Sequence, residues 1–275
     1  MKPKQFDYLR AETIDEAVAE LAETGEDAKI LAGGQSLMAM LNFRLAEPEV
    51  LVDIAGIAAL SYIKDDGAMV EIGAATTQGE LQAWDGLAGN LTLLHKAFPN
   101  IGHFQTRNRG TVCGSIAHAD PSTELPLCLA TLAGEVVLRS SRGVRKLSAA
   151  EFQQGMLTTA RRPDEMVAAA RYPKAVAGAG YAFREVARRR GDFAIVALAA
   201  SASGDTIRLG IGGVADKPTV REWTSLADSD LDDALNAFAW DLGGYDDIHA
   251  TSKYRRKLVR KLGRRVIEEA KSCQS

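Results

Sequence analysis

Apolar positions recur along the chain in two rhythms, and the places where one yields to the other outline its elements. Ile14, Ala17, Val18 and Leu21 fall at helical spacing behind Thr13-Ile14-Asp15-Glu16, whose hydroxyl-to-acid interval is that of a capping box, and Gly25 supplies a stop. Ala28 to Ala32, interrupted by Lys29, reads as a strand, Leu37 to Leu41 as a short helix and Val50 to Asp53 as a further strand. With Phe6-Asp7-Tyr8 as an edge strand, the order is β-α-β-α-β, which predicts a small, mainly parallel sheet. Beyond Ile57 the runs shorten. Leu60 to Lys64 and Met69 to Gly73 flank the turn Asp65-Asp66-Gly67, a helix begins near Thr77, and Leu91 to Phe98 is helical until Pro99-Asn100 stops it. Leu125 to Leu132 reads as a buried helix. Glu135 to Arg139 and Val144 to Leu147 form a hairpin about Ser140-Ser141-Arg142-Gly143, and Glu165 to Tyr172 closes the region. The small-residue linker Ala175 to Gly180 marks a boundary. It precedes three strands (Tyr181 to Val186, Phe193 to Ala200, Thr206 to Gly213) and two helices, Leu231 to Trp240 and Ser252 to Lys271. The pattern divides the chain into 1–55, 56–176 and 177–275.

Composition narrows the class. A hydrophobic fraction of 46% over 275 residues supplies a substantial core, and a net charge of −3 argues against a surface that coats nucleic acid or anionic membrane throughout. No run approaches the roughly 18 apolar residues of a membrane span, and charged sequence follows Met1-Lys2-Pro3-Lys4-Gln5-Phe6 where a signal peptide would be apolar, so a cytoplasmic location is expected. Cys113, Cys128 and Cys273 are too few and too scattered for a disulfide framework or a Cys-x-x-Cys site. His95, His103, His118 and His249 match no ligand spacing, so no protein-bound metal is expected in this chain. The last helix is strongly basic from Lys253 to Leu262, with an apolar stripe at Tyr254, Leu258, Leu262 and Val266. In a chain that is acidic overall, this reads as a solvated face or a subunit contact.

Candidate chemistry sits in two stretches. Ile30-Leu31-Ala32-Gly33-Gly34-Gln35-Ser36-Leu37-Met38 ends a strand in two glycines and opens a helix, so backbone N–H groups can converge on an anion. It lacks the Lys-Ser/Thr of a nucleoside triphosphatase loop and is not a G-x-G-x-x-G fingerprint; taken alone it reads first as an αL turn before a helix capped by Ser36. The second stretch runs Arg109-Gly110-Thr111-Val112-Cys113-Gly114-Ser115-Ile116-Ala117-His118-Ala119-Asp120-Pro121-Ser122-Thr123-Glu124-Leu125-Pro126. It again places small and hydroxyl residues where backbone can approach a ligand, followed by an acid. Two such loops suit two phosphates.

Together these motifs resemble those of the FAD-binding medium subunit of the molybdenum hydroxylase, or xanthine dehydrogenase, family, and the likeness runs from Phe6 to Lys253-Tyr254-Arg255-Arg256. The resemblance implies an α+β fold. Its parts are a two-lobed PCMH-type FAD-binding domain, with a small β-α-β parallel lobe and a larger α+β lobe, and a C-terminal domain of a three-stranded antiparallel sheet plus helices. It implies that Ala32, Gly33, Gly34, Gln35 and Ser36 hold one side of the FAD pyrophosphate, with Leu37 and Met38 continuing along the cofactor, and that Thr111, Gly114 and Ser115 hold the other side. Cys113 stands where the family commonly has Gly, and Ser115 where it has Asn. Asp120 and Glu124 would bind the adenosine half or nearby amides, although a helix N-cap explains Asp120 equally well. His118 would touch phosphate or ribose, with a buried structural histidine as the competing reading. Ile101 and Gly102 would close over the flavin, though core packing accounts for Ile101 as well, and Met166 would touch the adenine. Arg188-Arg189-Arg190-Gly191-Asp192-Phe193 matches the family's basic segment and Gly-Asp-Phe, which places Asp192 and Phe193 by the isoalloxazine, while Arg184 is the cation expected to favour the reduced ring. Most of the charge on the three consecutive arginines is read as solvated or as a partner contact.

A complete enzyme of this family also needs [2Fe–2S] clusters, commonly held by four cysteines each, and a molybdopterin cofactor. Three cysteines cannot supply the clusters, so the resemblance implies a flavin subunit with no catalytic residue acting on the organic substrate. A small iron–sulfur subunit and a large molybdenum subunit would complete it, as a dimer of heterotrimers. Two other readings stay open on the sequence: a stand-alone FAD-dependent oxidase or dehydrogenase of the same fold, and a non-catalytic nucleotide-binding or assembly protein.

Overall fold

The computed structural model describes residues 2–274. The chain opens with β1 (Asp7–Arg10), α1 (Ile14–Thr24), β2 (Ala28–Leu31), α2 (Leu37–Asn42) and β3 (Val50–Asp53), and β1 and β2 both lie parallel to the central β3. α1 starts where the Thr13 hydroxyl accepts from the Glu16 amide, and it buries Ala17, Val18 and Leu21, the face its spacing predicts. Its Glu16 carboxylate reaches back to the amide of Glu12, one residue before the cap.

The second part holds a five-stranded sheet in the order β4-β5-β10-β6-β7, built from β4 (Ile63–Asp66), β5 (Met69–Gly73), β6 (Glu135–Ser140), β7 (Gly143–Ser148) and β10 (Met166–Pro173). Between β5 and β6 run six helices: α3 (Gln78–Ala83), α4 (Leu87–Asn90), α5 (Thr92–Ala97), α6 (Phe104–Arg107), α7 (Val112–His118) and α8 (Glu124–Thr131). After β7 come α9 (Ala149–Phe152) and a small hairpin of β8 (Gln153–Gly155) with β9 (Thr158–Thr159). A full capping box at Thr77 and Glu80 starts α3, close to the predicted position. α8 is apolar nearly all round because it is covered on all sides, with Leu125, Leu127, Cys128 and Leu129 at 1% exposure or less.

The C-terminal part contains β11 (Gly180–Val186), β12 (Val196–Ser203), β13 (Thr206–Gly212) and β14 (Thr219–Thr224), paired antiparallel in that order, then α10 (Leu231–Asp241) and α11 (Ser252–Ser272). This sheet therefore has four strands rather than the expected three. The extra one, Thr219-Val220-Arg221-Glu222-Trp223-Thr224, is a half-exposed edge strand whose charges break the alternation that marks buried strands. Phe193 also falls before β12 rather than inside it, leaving Arg188 to Ile195 as a loop.

Period-two alternation on β12 decides how the parts pack. Ala197 and Ala199 join the core shared with the first two parts of the chain, while Val196, Leu198, Ala200 and Ala202 join a second core with α10 and α11. The first face is made of small residues because α8 lies directly on it. A Cβ on Gly210 would stand 2.0 Å from the Thr131 hydroxyl, and one on Gly212 would stand 2.9 Å from the Pro121 carbonyl.

Candidate functional site

The strand β2 delivers the chain to a turn, Ala32-Gly33-Gly34-Gln35-Ser36, at its carboxyl end, where open α/β sheets present ligand sites. Gly34 has φ +69°, and α2 is closed by the Met38 amide donating to the Gly34 carbonyl at 3.1 Å. Among the described residues the amides of Gly33, Gly34, Gln35, Ser36 and Leu37 donate to no protein acceptor. A run of such donors suits an anion.

The second motif folds against the first. Thr111 caps α7, its hydroxyl accepting from the Gly114 amide at 2.9 Å, and its own strand-like backbone bridges Thr77. Gly110 accepts from the Gln78 amide at 2.8 Å and Thr76 from the Val112 amide at 3.1 Å, so the loop is pinned to the start of α3. The two glycine loops touch: a Cβ on Gly33 would lie 2.0 Å from the Arg109 carbonyl oxygen. Gly33 is thus required by its protein neighbour, independently of any anion.

Around these loops lies one cleft of about 820 Å³, within the roughly 300–1,000 Å³ usual for cofactor sites. Ala32, Gly33, Gly34, Gln35, Ser36, Leu37, Ile101, Gly102, Thr111, Gly114, Ser115, His118, Glu124, Met166, Asp192 and Phe193 all line it. Three expected residues do not. α2 turns Leu37 and Met40 to the cleft and leaves Met38 40% exposed. Asp120 spends a carboxylate oxygen on the Ser122 amide at 2.8 Å and shapes the Pro121–Thr123 turn, while the cap of α8 is Thr123. Arg184 is corrected most sharply: on β11 its side chain points to α11 and pairs with Glu269 at 2.7 Å, on the face opposite the cleft core.

Several lining residues carry no marker in either motif. Lys29 and Arg161 face the cleft together, and burial lowers the pKa of both, the Arg161 charge adding to the effect on Lys29. Arg161 spends its Nη1 on backbone carbonyls, including Glu165 O at 2.6 Å. The signal available for Lys29 is its interruption of an apolar strand. Gln78 is 7% exposed with its Oε1 unpartnered among the described residues. Tyr245, Asp247 and His249 arrive from the segment joining α10 to α11, and Arg255 from the first turn of α11, all more than a hundred residues from either motif.

Electrostatics differ along the cleft. The Glu124 carboxyl is pushed up to about 8, first by burial and then by Glu185, whose own carboxyl burial pushes up to about 7. Burial lowers the pKa of His118, with Asp120 partly opposing it, so a neutral imidazole is favoured. Cys113 points inward, its thiol donating toward the Ile72 carbonyl and pushed up to about 12, so its side chain leaves the loop backbone clear. Donor amides, two desolvated cations and apolar residues in the lining fit a long, dianionic, partly aromatic cofactor. No group of three or more His, Cys, Asp or Glu capable of holding a metal occurs among the described residues.

Comparison with known proteins points to a flavin-binding family. Residues 4–175 match the family model described as the FAD binding domain in molybdopterin dehydrogenase, and residues 181–270 match the CO dehydrogenase flavoprotein C-terminal domain. The carbon monoxide dehydrogenase medium chain of Afipia carboxidovorans is 36% identical, over 99% of this chain and 99% of that protein. The nicotine 6-hydroxylase medium subunit of Paenarthrobacter nicotinovorans is 34% identical over 98% and 99%. A solved carbon monoxide dehydrogenase from Hydrogenophaga pseudoflava, lacking the Mo-pyranopterin moiety of its cofactor, superposes with a TM-score of 0.94 at 31% identity, covering 100% of both chains. Quinoline 2-oxidoreductase from Pseudomonas putida 86 gives 0.91 at 31%, covering 99% of each. The chain belongs to the family of FAD-binding medium subunits of the molybdenum-containing dehydrogenases, an oxidoreductase family.

Proposed function

We propose that this chain is the electron-transfer subunit of a multi-subunit molybdenum hydroxylase. It takes electrons from a [2Fe–2S] partner subunit and delivers them to an external acceptor, while a small, heteroaromatic substrate is hydroxylated in a separate molybdopterin subunit. The observation that carries this is the row of amides from Gly33 to Leu37 that have no protein acceptor among the described residues and belong to residues lining the cleft beside the α7 loop. In this reading the first loop and the Thr111–Ser115 turn hold the FAD pyrophosphate from two sides, and Lys29 and Arg161 add positive charge to the same cleft, which Met166 also lines. Ile101, Gly102, Asp192 and Phe193 flank the isoalloxazine. His118 and Glu124 present a neutral imidazole and a protonated carboxyl, which can donate hydrogen bonds without repelling a phosphate. FAD supplies the capacity to move one or two electrons; the chain binds it, orients it and limits access of water.

The assembly is a dimer of heterotrimers in the cytoplasm, with domains at 1–55, 56–176 and 177–275. No helix of the described residues is long and apolar enough to cross a membrane. Anaerobic addition of the organic substrate tests the route. Flavin absorbance bleaches in the whole complex and stays unchanged in the isolated FAD-loaded chain; bleaching of the isolated chain by substrate would make it a self-sufficient flavoenzyme instead.

A further inference from the structure

Arg255 lies in the first turn of α11, a helix whose sequence reads as a basic, solvated face, yet this side chain is 1% exposed. Its two terminal nitrogens are spent on three different segments, while its Nε has no partner among the described residues. Nη1 donates to the Ile195 carbonyl at 2.5 Å and to the Gly213 carbonyl at 2.6 Å, and Nη2 donates to Asp247 Oδ2 at 2.6 Å, with the Tyr245 ring stacked 4.4 Å from its centre. Asp247 in turn accepts the amides of His249 and Ala250 on its other oxygen, at 2.9 and 2.8 Å. A buried arginine with carbonyl, carboxylate and aromatic partners is costly to desolvate, which makes a purely passive packing role a poor use of it.

Each of those partners leads to a wall of the cleft. Ile195 ends the Gly191–Ile195 segment, whose Ala194 amide reaches the Ser122 carbonyl at 3.3 Å. Gly213, at φ +75°, donates to the Pro121 carbonyl at 2.8 Å and packs so closely on Ala194 and Ile195 that an added Cβ would stand 2.8 Å from the Ile195 oxygen. At the far end of the same loop, Arg190 donates to the Pro99 carbonyl at 2.8 Å, and Gly191, at φ +87°, sits against Gly102 and His103. The loop is therefore fastened at both ends, and Arg255 is the fastening that reaches it from the C-terminal helix.

We propose that Arg255 is the positioning residue for the end of the cleft that takes the flavin ring. It locks the Gly191–Ile195 loop and the Tyr245–His249 arm against the Pro121–Glu124 turn, so those walls are set before the ring arrives. This rests on the reading that the cleft holds FAD. Lysine cannot replace it, because one ammonium group does not span two carbonyls and a carboxylate in a fixed plane.

The test uses the full chain, purified with the chains that accompany it, as wild type, Arg255→Met, Arg255→Lys and Asp247→Asn. FAD is titrated into the flavin-stripped protein, and the visible circular dichroism of the bound flavin is recorded beside far-ultraviolet dichroism as a check on folding. We expect folded Arg255→Met to bind FAD about tenfold more weakly or worse, a loss of about 1.4 kcal/mol, with an altered visible dichroism. Arg255→Lys should give no rescue, and Asp247→Asn should give the same spectral change in milder form. If Arg255→Met does not fold, Asp247→Asn decides. Folded variants with wild-type affinity and wild-type visible dichroism would overturn the positioning role alone, whereas a wild-type assembly that takes up no flavin overturns it together with the FAD reading.

Discussion

A methyl group on Gly33 would meet the Arg109 carbonyl oxygen at 2.0 Å, and both are backbone-anchored, so neither yields without moving a loop. Gly33→Ala should therefore lower stability by about 1–3 kcal/mol, the range for overpacking, and weaken FAD retention because the two loops part. Urea denaturation checks it, and a wild-type midpoint would contradict it. Glu124 supplies a pH test. The unfolded chain ionises this carboxyl as the pH passes its ordinary 4.5, while the folded chain keeps the proton until about 8, so the unfolded state binds fewer protons across that window and stability falls as pH rises. Glu185 acts with the same sign up to about 7. Glu124→Gln removes one of the two contributions, so the variant should gain on wild type from pH 5 to 8; parallel stability–pH curves would contradict the assignment. At this scale the sequence exposes the two glycine loops, whose residue types announce backbone approach to a ligand. It does not expose the closeness of Gly33 to Arg109, because a contact between residues so far apart in the chain leaves no local pattern.

Arg184 shows how an element decides the role of a residue. β11 buries Tyr181 and Phe183 toward the FAD-motif lobes and sends Arg184 the other way, to Glu269 of α11. The alternation of Arg184 with Phe183 is legible in the sequence; which face looks at the cleft is not, since both faces of this sheet are covered. Arg184→Ala should leave the flavin midpoint potential unchanged and remove about 0–1 kcal/mol of stability, as expected of a partly exposed pair. A shifted potential would return Arg184 to the ring. Elements with strong periodicity, such as α1, β13 and α11, fall close to their predicted bounds. Those missed are short or polar: α6 and α9 span four residues each, and β14 carries Arg221 and Glu222. α7 is masked by the small residues of the very loop that makes it interesting.

Across the whole molecule, the cleft is assembled from segments that meet only in the folded chain: the β2–α2 turn, the α7 loop, the Arg188–Ile195 loop and the arm between α10 and α11. Small residues on β12 and β13 let α8 lie flat against the C-terminal sheet, which brings α11 and Arg255 within reach of the cleft. The sequence indicates the first two segments through their motifs and the third through resemblance. The fourth is a polar connection between helices, and only tertiary packing gives it a place in the site. On the proposed function, this cleft carries FAD within a larger electron-transfer assembly. The most direct measurement is the cofactor and subunit inventory of the protein purified from its source with its partners attached. One FAD per copy of this chain is expected, with iron and molybdenum on two co-purifying chains. A preparation without flavin, or a yellow chain that oxidises an organic substrate alone, would contradict it.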